Sequence, residues 1–365
     1  MSAEITIFGA TGYTGRLIVA QLEAQLPGEY RLAGRSADKL RNLSASLESK
    51  PEWLTADPTH AISLVHLCKD TRVLINCVGP FTDYGEPVVA QAAQCGVHYL
   101  DITNEMGYVH AVQKYSAVAQ SSGAAIVPAC GFEVALADCA AHLLAAEFDG
   151  PLDELHVVYG LGGSGSSIGT RRSAIRSLAT SWLAYREGEW IGAVPCQEVR
   201  DFELPDGHKA TLSFPSSEIV TVPQHIATRR VDTWTTVSKG AHLWAPTAVP
   251  AFAWLARGPF GALVSALVSR MAPPPETGMR TQAPFTIKLE AMQASQTRTI
   301  TLQGHGAYDL TAEIAVYAAR HMLQPNFSRS GVLAPAQALD PQAFLDHAAE
   351  HWNVTITSDK EAHAG

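Results

Sequence analysis

Over the first 130 residues, short runs of aliphatic and β-branched residues alternate with stretches whose apolar positions recur at helical spacing. The runs fall at 5–9, 30–34, 53–56, 73–77, 97–101 and 124–127, and the amphipathic stretches include 15–26, 87–95 and 108–121. Continuous apolar runs mark strands buried on both faces, and helices between them are the crossovers that parallel strands require. The pattern therefore predicts an α/β fold: a parallel sheet of six strands and five crossovers with helices on both sides. After Gly131 the texture changes. A helix is expected over 134–147, a strand over 155–159, a Gly/Ser loop, a helix from about residue 170, and strand-like alternation in 190–235 and 284–305. An amphipathic stretch follows at 308–323. The expected organisation is a Rossmann-type dinucleotide-binding domain at 1–131 and an inserted α+β substrate domain at 132–305. A C-terminal helical segment at 306–358 returns to the first domain, and a solvated tail covers 359–365.

The segment Gly9-Ala10-Thr11-Gly12-Tyr13-Thr14-Gly15 closes the first strand and opens the first helix. Glycines in that place permit a tight turn, approach of backbone to a pyrophosphate and close packing of helix on strand. The helix N-terminus adds unpaired N–H groups and the positive end of its dipole. The spacing is GxxGxxG, and its context between strand and helix supports the phosphate-loop reading. An NAD site would carry an acidic residue at the end of the second strand, to bond the ribose. This chain has Arg35 and Ser36, with Lys39 one turn on, groups suited to a 2′-phosphate, so NADP is the expected cofactor. Asp57 after the third strand is placed at the adenine pocket. Val78-Gly79-Pro80 after the fourth is placed on the nicotinamide side.

Composition narrows the function classes. A chain of 365 residues exceeds one ordinary core. Lys+Arg number 26 against 35 Asp+Glu, for a net charge of −9, which argues against nucleic acid as a partner. Six cysteines with no CxxC pair argue against a disulfide scaffold or zinc ribbon and suit a reducing cytoplasm. The longest uncharged stretch, 240–256, contains Pro246 and Pro250 and is shorter than the roughly 20 apolar residues of a spanning helix. The expectation is a cytoplasmic protein with no transmembrane segment and a small-molecule substrate. Homodimer formation and peripheral lipid contact stay open. The apolar stretch 244–271 reads as a core helix, an acyl tunnel or a lipid-facing surface.

The chain resembles the saccharopine dehydrogenase-like oxidoreductases and, within them, the trans-acting enoyl reductase group. The resemblance is carried by Gly9 to Gly15, Leu32-Ala33-Gly34-Arg35-Ser36, Asn76-Cys77-Val78-Gly79-Pro80-Phe81 with Tyr84-Gly85, Tyr99-Leu100-Asp101-Ile102-Thr103-Asn104-Glu105, and Ala129-Cys130-Gly131-Phe132. It is dense over 5–138 and thinner beyond. It implies NADP binding and an inserted substrate domain. Where relatives often read Gly-Phe-Asp-Ser-Ile-Pro-Ser-Asp, this chain has Gly131-Phe132-Glu133-Val134-Ala135-Leu136-Ala137-Asp138.

Hydride transfer to a polarised double bond needs a group that holds the acceptor and another that protonates or stabilises the negative centre. The catalytic candidates are Tyr84 beyond the fourth strand and Asp101 and Glu105 beyond the fifth, with helix capping as the competing role. Thr103 is a substrate-binding candidate. Gly169, Thr170 and Arg171 close a Gly/Ser loop whose N–H groups and guanidinium suit an anionic substrate group. The expected reaction is NADPH-dependent reduction of an activated C=C bond in a partly hydrophobic, acyl- or isoprenoid-like molecule. Saccharopine-type C=N chemistry and a non-catalytic NADP-binding role at a lipid or partner surface are the alternatives. Three decoys are set aside. The GxSxG at 165–169 does not follow directly on its strand. The HxxEH at His347, Glu350 and His351 lacks a third ligand, so no metal is expected. No tyrosine has lysine four residues on, which excludes the short-chain dehydrogenase mechanism.

Overall fold

The computed structural model describes residues 4–161, 182–238, 240–257 and 283–362. The chain divides into two compact units. Met1–Asn104, Tyr108–Ala135 and Tyr308–Leu339 form the first, and Glu105–Gly107, Leu136–Ala307 and Asp340–Gly365 the second.

The first unit is built by alternation. In chain order it runs β1 (Ile5–Phe8), α1 (Tyr13–Gln25), β2 (Tyr30–Gly34), α2 (Ala37–Ala45), β3 (Trp53–Thr55), α3 (Ala61–Cys68), β4 (Val73–Asn76), α4 (Phe81–Cys95) and β5 (His98–Asp101). Then come α5 (Met106–Ala111), a 3-10 turn, α6 (Ser116–Ser122) and β6 (Ala125–Val127). Helix α7 (Phe132–Ala145) leads out of it. Every residue of β1 and β4 is buried, as the unbroken apolar runs require of central strands. The sheet is parallel throughout, in the order β6-β5-β4-β1-β2-β3. Chain order reverses between β1 and β4, and ligands of open α/β sheets bind outside the carboxyl ends of the strands at that switch point. Helix α4 starts at Phe81, six residues before the expected start at Pro87. Pro87 is exposed within it, so the interruption falls on the side facing water and the helix runs through.

The second unit carries β7 (Glu154–Leu161), β8 (Trp182–Arg186), β9 (Glu189–Ala193), β10 (Val199–Leu204), β11 (Gly207–Ser213), a short α8 (Glu218–Thr221) and β12 (Arg230–Thr236). Helix α9 (Ala241–Arg257) and the hairpin β13 (Pro284–Gln293) and β14 (Gln296–His305) follow. Its mixed sheet has the order β10-β11-β12-β7-β13-β14, with the β8–β9 hairpin paired to β12. Alternate residues of β7, β10 and β12 put Val158, Phe202, Leu204 and Trp234 in one buried cluster. Trp234 Nε1 donates to Nδ1 of the fully buried His156 at 3.3 Å, so both polar rings have partners, as burial demands.

The C-terminal stretch is shared between the units, which departs from a single helical segment at 306–358 followed by a tail. Helix α10 (Ala307–Met322), β15 (Gly331–Val332) and α11 (Pro335–Ala338) lie with the first unit. There Glu313 accepts from Gln21 at 3.0 Å, the rings of Tyr308 and Tyr13 meet edge-on at 5.1 Å, and β15 adds a seventh parallel strand beside β6. Helix α12 (Pro341–His351) and β16 (Thr355–Ala362) lie with the second. Residues 359–362, expected as tail, continue β16 and pair with β14 from Asp359↔Thr299 to Ala362↔Gln296. Their charges are those of an edge strand, where charge guards against further pairing. His347 and His351 stack on α12 with ring centroids 4.4 Å apart, and no metal-holding cluster occurs among the described residues.

At the start of the expected apolar stretch 244–271, α9 carries Trp244 on its surface, 61% exposed, next to Leu243, 77% exposed. Ala241 and Ala245 on the same turn are buried, so that end of the helix has one buried and one exposed face. No helix among the described residues is long and apolar enough to cross a membrane. The GxSxG segment, together with Gly169, Thr170 and Arg171, lies outside the described residues.

Candidate active site

The loop between β1 and α1 is held from both sides. Gly9 and Ala10 donate their N–H groups to the Ala33 carbonyl of β2 at 2.9 and 3.2 Å, and Gly12 N–H returns to the Gly9 carbonyl at 2.9 Å. Gly9 sits at φ +91°, a conformation that glycine adopts without strain. A Cβ on Gly15 would lie 2.2 Å from the Gly9 oxygen, and one on Gly12 3.2 Å from the same atom. The helix thus begins as close to the strand as bare backbone allows. Gly12 is the N-cap of α1, with extended backbone, no side-chain cap and no acidic residue in the first turn. An exposed 13-residue helix start without a capping acceptor fits a pyrophosphate. Thr11, Tyr13 and Thr14 stand half-buried around it.

Beyond β2, Arg35 is exposed and makes no hydrogen bond or ion pair among the described residues. Ser36 caps α2, its hydroxyl accepting from Lys39 N–H at 3.4 Å, and the Lys39 side chain is exposed. Asp57 folds onto Thr59, accepting from its N–H at 2.9 Å and its hydroxyl at 2.6 Å. Those bonds lower the Asp57 pKa, and the Arg35 charge adds a little in the same direction. The end of β2 therefore presents two free cations and no carboxylate of its own. That donor set fits the 2′-phosphate of NADP.

The carboxyl ends of β4, β5 and β6 are tied together by one buried network. Asn76 accepts from Val78 N–H at 3.0 Å, which shapes the Val78-Gly79-Pro80 turn, and donates to the Tyr99 hydroxyl at 3.0 Å. Tyr99 and Tyr108 both donate to Asp101 Oδ2, at 2.8 and 2.7 Å. Asp101 Oδ1 accepts from Thr103 N–H at 3.1 Å and from Ala129 N–H at 2.9 Å. Ala129 stands at φ +59°, costly for alanine, and its bond to Asp101 holds it there. Burial pushes the Asp101 pKa up to about 6 against the pull of these four donors. Burial also raises both phenols well above their usual range, so they remain donors.

Tyr108 reaches Asp101 only because residue 85 is glycine: a Cβ there would lie 2.4 Å from Tyr108 Cε2. Gly85→Ala is expected to destabilise the protein by about 1–3 kcal/mol, the usual cost of overpacking a filled core. Chemical denaturation measures it, and an unchanged midpoint would show that the ring moves freely.

The catalytic candidates fare differently. Asp101 is fully buried, with both oxygens committed, so it organises the site from within. Thr103 is buried too, its N–H taken by Asp101. Glu105 is buried, 2% exposed. Tyr84 lies in the first turn of α4, half-buried, with no side-chain hydrogen bond among the described residues.

Sequence reasoning passed over Asn76, Tyr99 and Tyr108, whose signal was polar residues inside apolar strand and helix runs. It also passed over Asn104 and Glu133: Asn104 Nδ2 donates to Glu133 Oε2 at 2.6 Å, joining the loop after β5 to the first turn of α7.

Residues 5–127 match the family model described as the saccharopine dehydrogenase NADP-binding domain. Over 191 residues the chain is 31% identical to a lipid droplet localized protein of Caenorhabditis elegans, covering 48% of this chain and 45% of the relative. Over 196 residues it is 33% identical to a trans-acting enoyl reductase of Mycobacterium ulcerans, covering 50% and 47%. The chain thus spans about half the length of the curated relatives it matches. Among solved structures, apo saccharopine dehydrogenase of Saccharomyces cerevisiae matches with a TM-score of 0.66 at 13% identity, over 98% of this chain and 99% of that one. That likeness shows a shared fold.

Proposed function

Since residues 5–127 belong to the saccharopine dehydrogenase NADP-binding domain family, and NADP is therefore the cofactor, we propose that the chain is an NADPH-dependent reductase of an activated C=C bond in a partly hydrophobic, acyl-like substrate. The observation that carries the coenzyme half is the pairing of an uncapped α1 start with unpartnered Arg35 at the end of β2. The enoyl acceptor is supported by the 33% identity to a protein of that name.

NADPH supplies a hydride when bound. The chain's own contribution is to fix the diphosphate on the first-turn N–H groups of Tyr13 to Gly15, to neutralise the 2′-phosphate with Arg35 and Lys39, and to hold the Val78–Pro80 turn through Asn76. Arrangement in advance matters because a misplacement of about 1 Å costs on the order of 100-fold in rate.

The test is NADPH consumption with a series of trans-2-enoyl thioesters, run beside a 2-oxo acid plus amino acid pair as the imine arm. Turnover of the enoyl series alone supports the proposal, and turnover of the imine pair alone replaces it. Arg35→Asp is expected to weaken NADPH binding about 10- to 100-fold, the worth of one charge-assisted contact, and to spare NADH. Fluorescence titration reads both, and equal loss for the two nucleotides would remove Arg35 from the 2′-phosphate site.

A second reading has its own observation. The exposed Leu243 and Trp244 on α9, which carries no Asp, Glu, Lys or Arg before Arg257, beside the worm relative's name, favour a lipid-surface role. Flotation with phosphatidylcholine vesicles tests it, with Leu243→Ser and Trp244→Ser together expected to abolish binding.

A further inference from the structure

We propose that Glu133 is the general acid of the reduction, giving its proton to the carbon left negative after hydride addition. This rests on the reductase reading above and names the acid it needs.

Glu133 is the second residue of α7 and follows the loop beyond β6. It therefore stands at the carboxyl end of the parallel sheet, where ligands of such folds bind. Its side chain is half-buried, reachable from outside yet shielded from bulk water. Asn104, from the loop after β5, donates to Oε2 at 2.6 Å. No other hydrogen bond or ion pair of Glu133 occurs among the described residues, so Oε2 is anchored and Oε1 is left to carry a proton. Burial raises its pKa, and the Asn104 bond offsets only part of that rise. A carboxyl so placed holds its proton to higher pH than a solvated one, which suits a donor working near neutrality.

The other acids at these loop ends are less suited. Asp101 has four donors on its two oxygens, and Glu105 is deeper than Glu133.

The step balances. Hydride brings an electron pair to the β-carbon of the enoyl group, and the π pair moves toward the α-carbon and the thioester oxygen. The Glu133 O–H bond then breaks, its electrons staying on the carboxylate, and a C–H bond forms at the α-carbon. The alkene is reduced, NADPH is oxidised to NADP+, and the carboxylate recovers its proton from water.

Glu133→Gln keeps the shape and the Asn104 bond but has no acidic proton. With crotonyl-CoA as probe, wild-type kcat should fall as pH rises through the Glu133 pKa. The variant should lose about 100-fold in kcat, lack that limb, and keep its KM and its NADPH affinity. Asn104→Ala, which frees the carboxyl, should move the limb. An activity-independent reading comes from carbon-13 NMR of the side-chain carboxyls: the resonance missing in Glu133→Gln should titrate above the ordinary glutamate value of about 4.3.

A variant with wild-type kcat and an intact limb overturns the assignment. So does a Glu133 resonance titrating at or below the ordinary value, or a limb removed by Tyr84→Phe instead. Absence of turnover in the wild type overturns the reductase reading and this step together, whereas turnover with an unimpaired Glu133→Gln overturns this step alone.

Discussion

Gly15→Ala is expected to lower NADPH affinity by about 100-fold, or about 2.7 kcal/mol, while the far-ultraviolet spectrum stays that of the wild type. The added Cβ would lie 2.2 Å from the Gly9 carbonyl oxygen and 3.0 Å from its carbon. Both are backbone atoms, so no side chain can swing aside. Either the start of α1 lifts from the sheet or the Gly9 loop yields, and in both cases the first-turn N–H groups leave the line on which a pyrophosphate would meet them. Gly12→Ala gives the internal comparison. Its Cβ would meet the same oxygen at 3.2 Å, a distance relieved by a few tenths of an ångström, so its loss should be clearly smaller. Nucleotide fluorescence titration of the two variants measures the contrast. Wild-type affinity in Gly15→Ala would show that the coenzyme does not depend on this loop.

Asp101→Ala should cost the fold more than any other single change at the site. It removes the acceptor of two backbone N–H groups and two phenols, of which one phenol can still donate to the other at 3.0 Å. Each orphaned buried donor costs about 1–3 kcal/mol, so a loss of about 4 kcal/mol or more is expected even after water enters. That is a large part of the roughly 5–15 kcal/mol of an ordinary domain, and Tm should fall by on the order of 10 °C.

Asp101→Asn separates the charge from the shape. With its pKa raised from 3.8 to about 6 in the folded protein, Asp101 binds its proton more tightly folded than unfolded. Its stabilisation is complete below about pH 4 and is lost as pH rises through 6, a swing on the order of 3 kcal/mol. The asparagine variant should lack that slope. Urea denaturation between pH 4 and 7 decides the matter, and parallel slopes in wild type and variant would mean that Asp101 titrates normally.

The six strands of the first sheet stood out because central parallel strands are buried on both faces and tolerate few polar residues. The glycines were readable because their requirement is steric and local: Gly9 and Gly15 are six residues apart in one loop. Arg35 was readable because it follows directly on its strand. Asp101 was found as a site residue, but its partners are spread over β5 itself (Tyr99), the loop after it (Thr103), α5 (Tyr108) and the turn after β6 (Ala129). A carboxylate with four donors and one open to substrate look alike in a sequence. The same holds for Glu133, 29 residues from the Asn104 that orients it, and for residues 359–362, whose charges describe a tail and an edge strand equally well.

The sequence by itself thus determined the parallel α/β fold of the first unit, its phosphate loop and the preference for NADP, because each depends on contacts within a strand, a turn or one crossover. Only the tertiary structure decided that both oxygens of Asp101 are occupied, that Glu105 is buried, that Glu133 is half-buried beside Asn104, and that the C-terminal stretch divides between the units. Burial and hydrogen-bond occupancy set those roles. Both are properties of what the fold brings alongside a residue, and no window along the chain contains them.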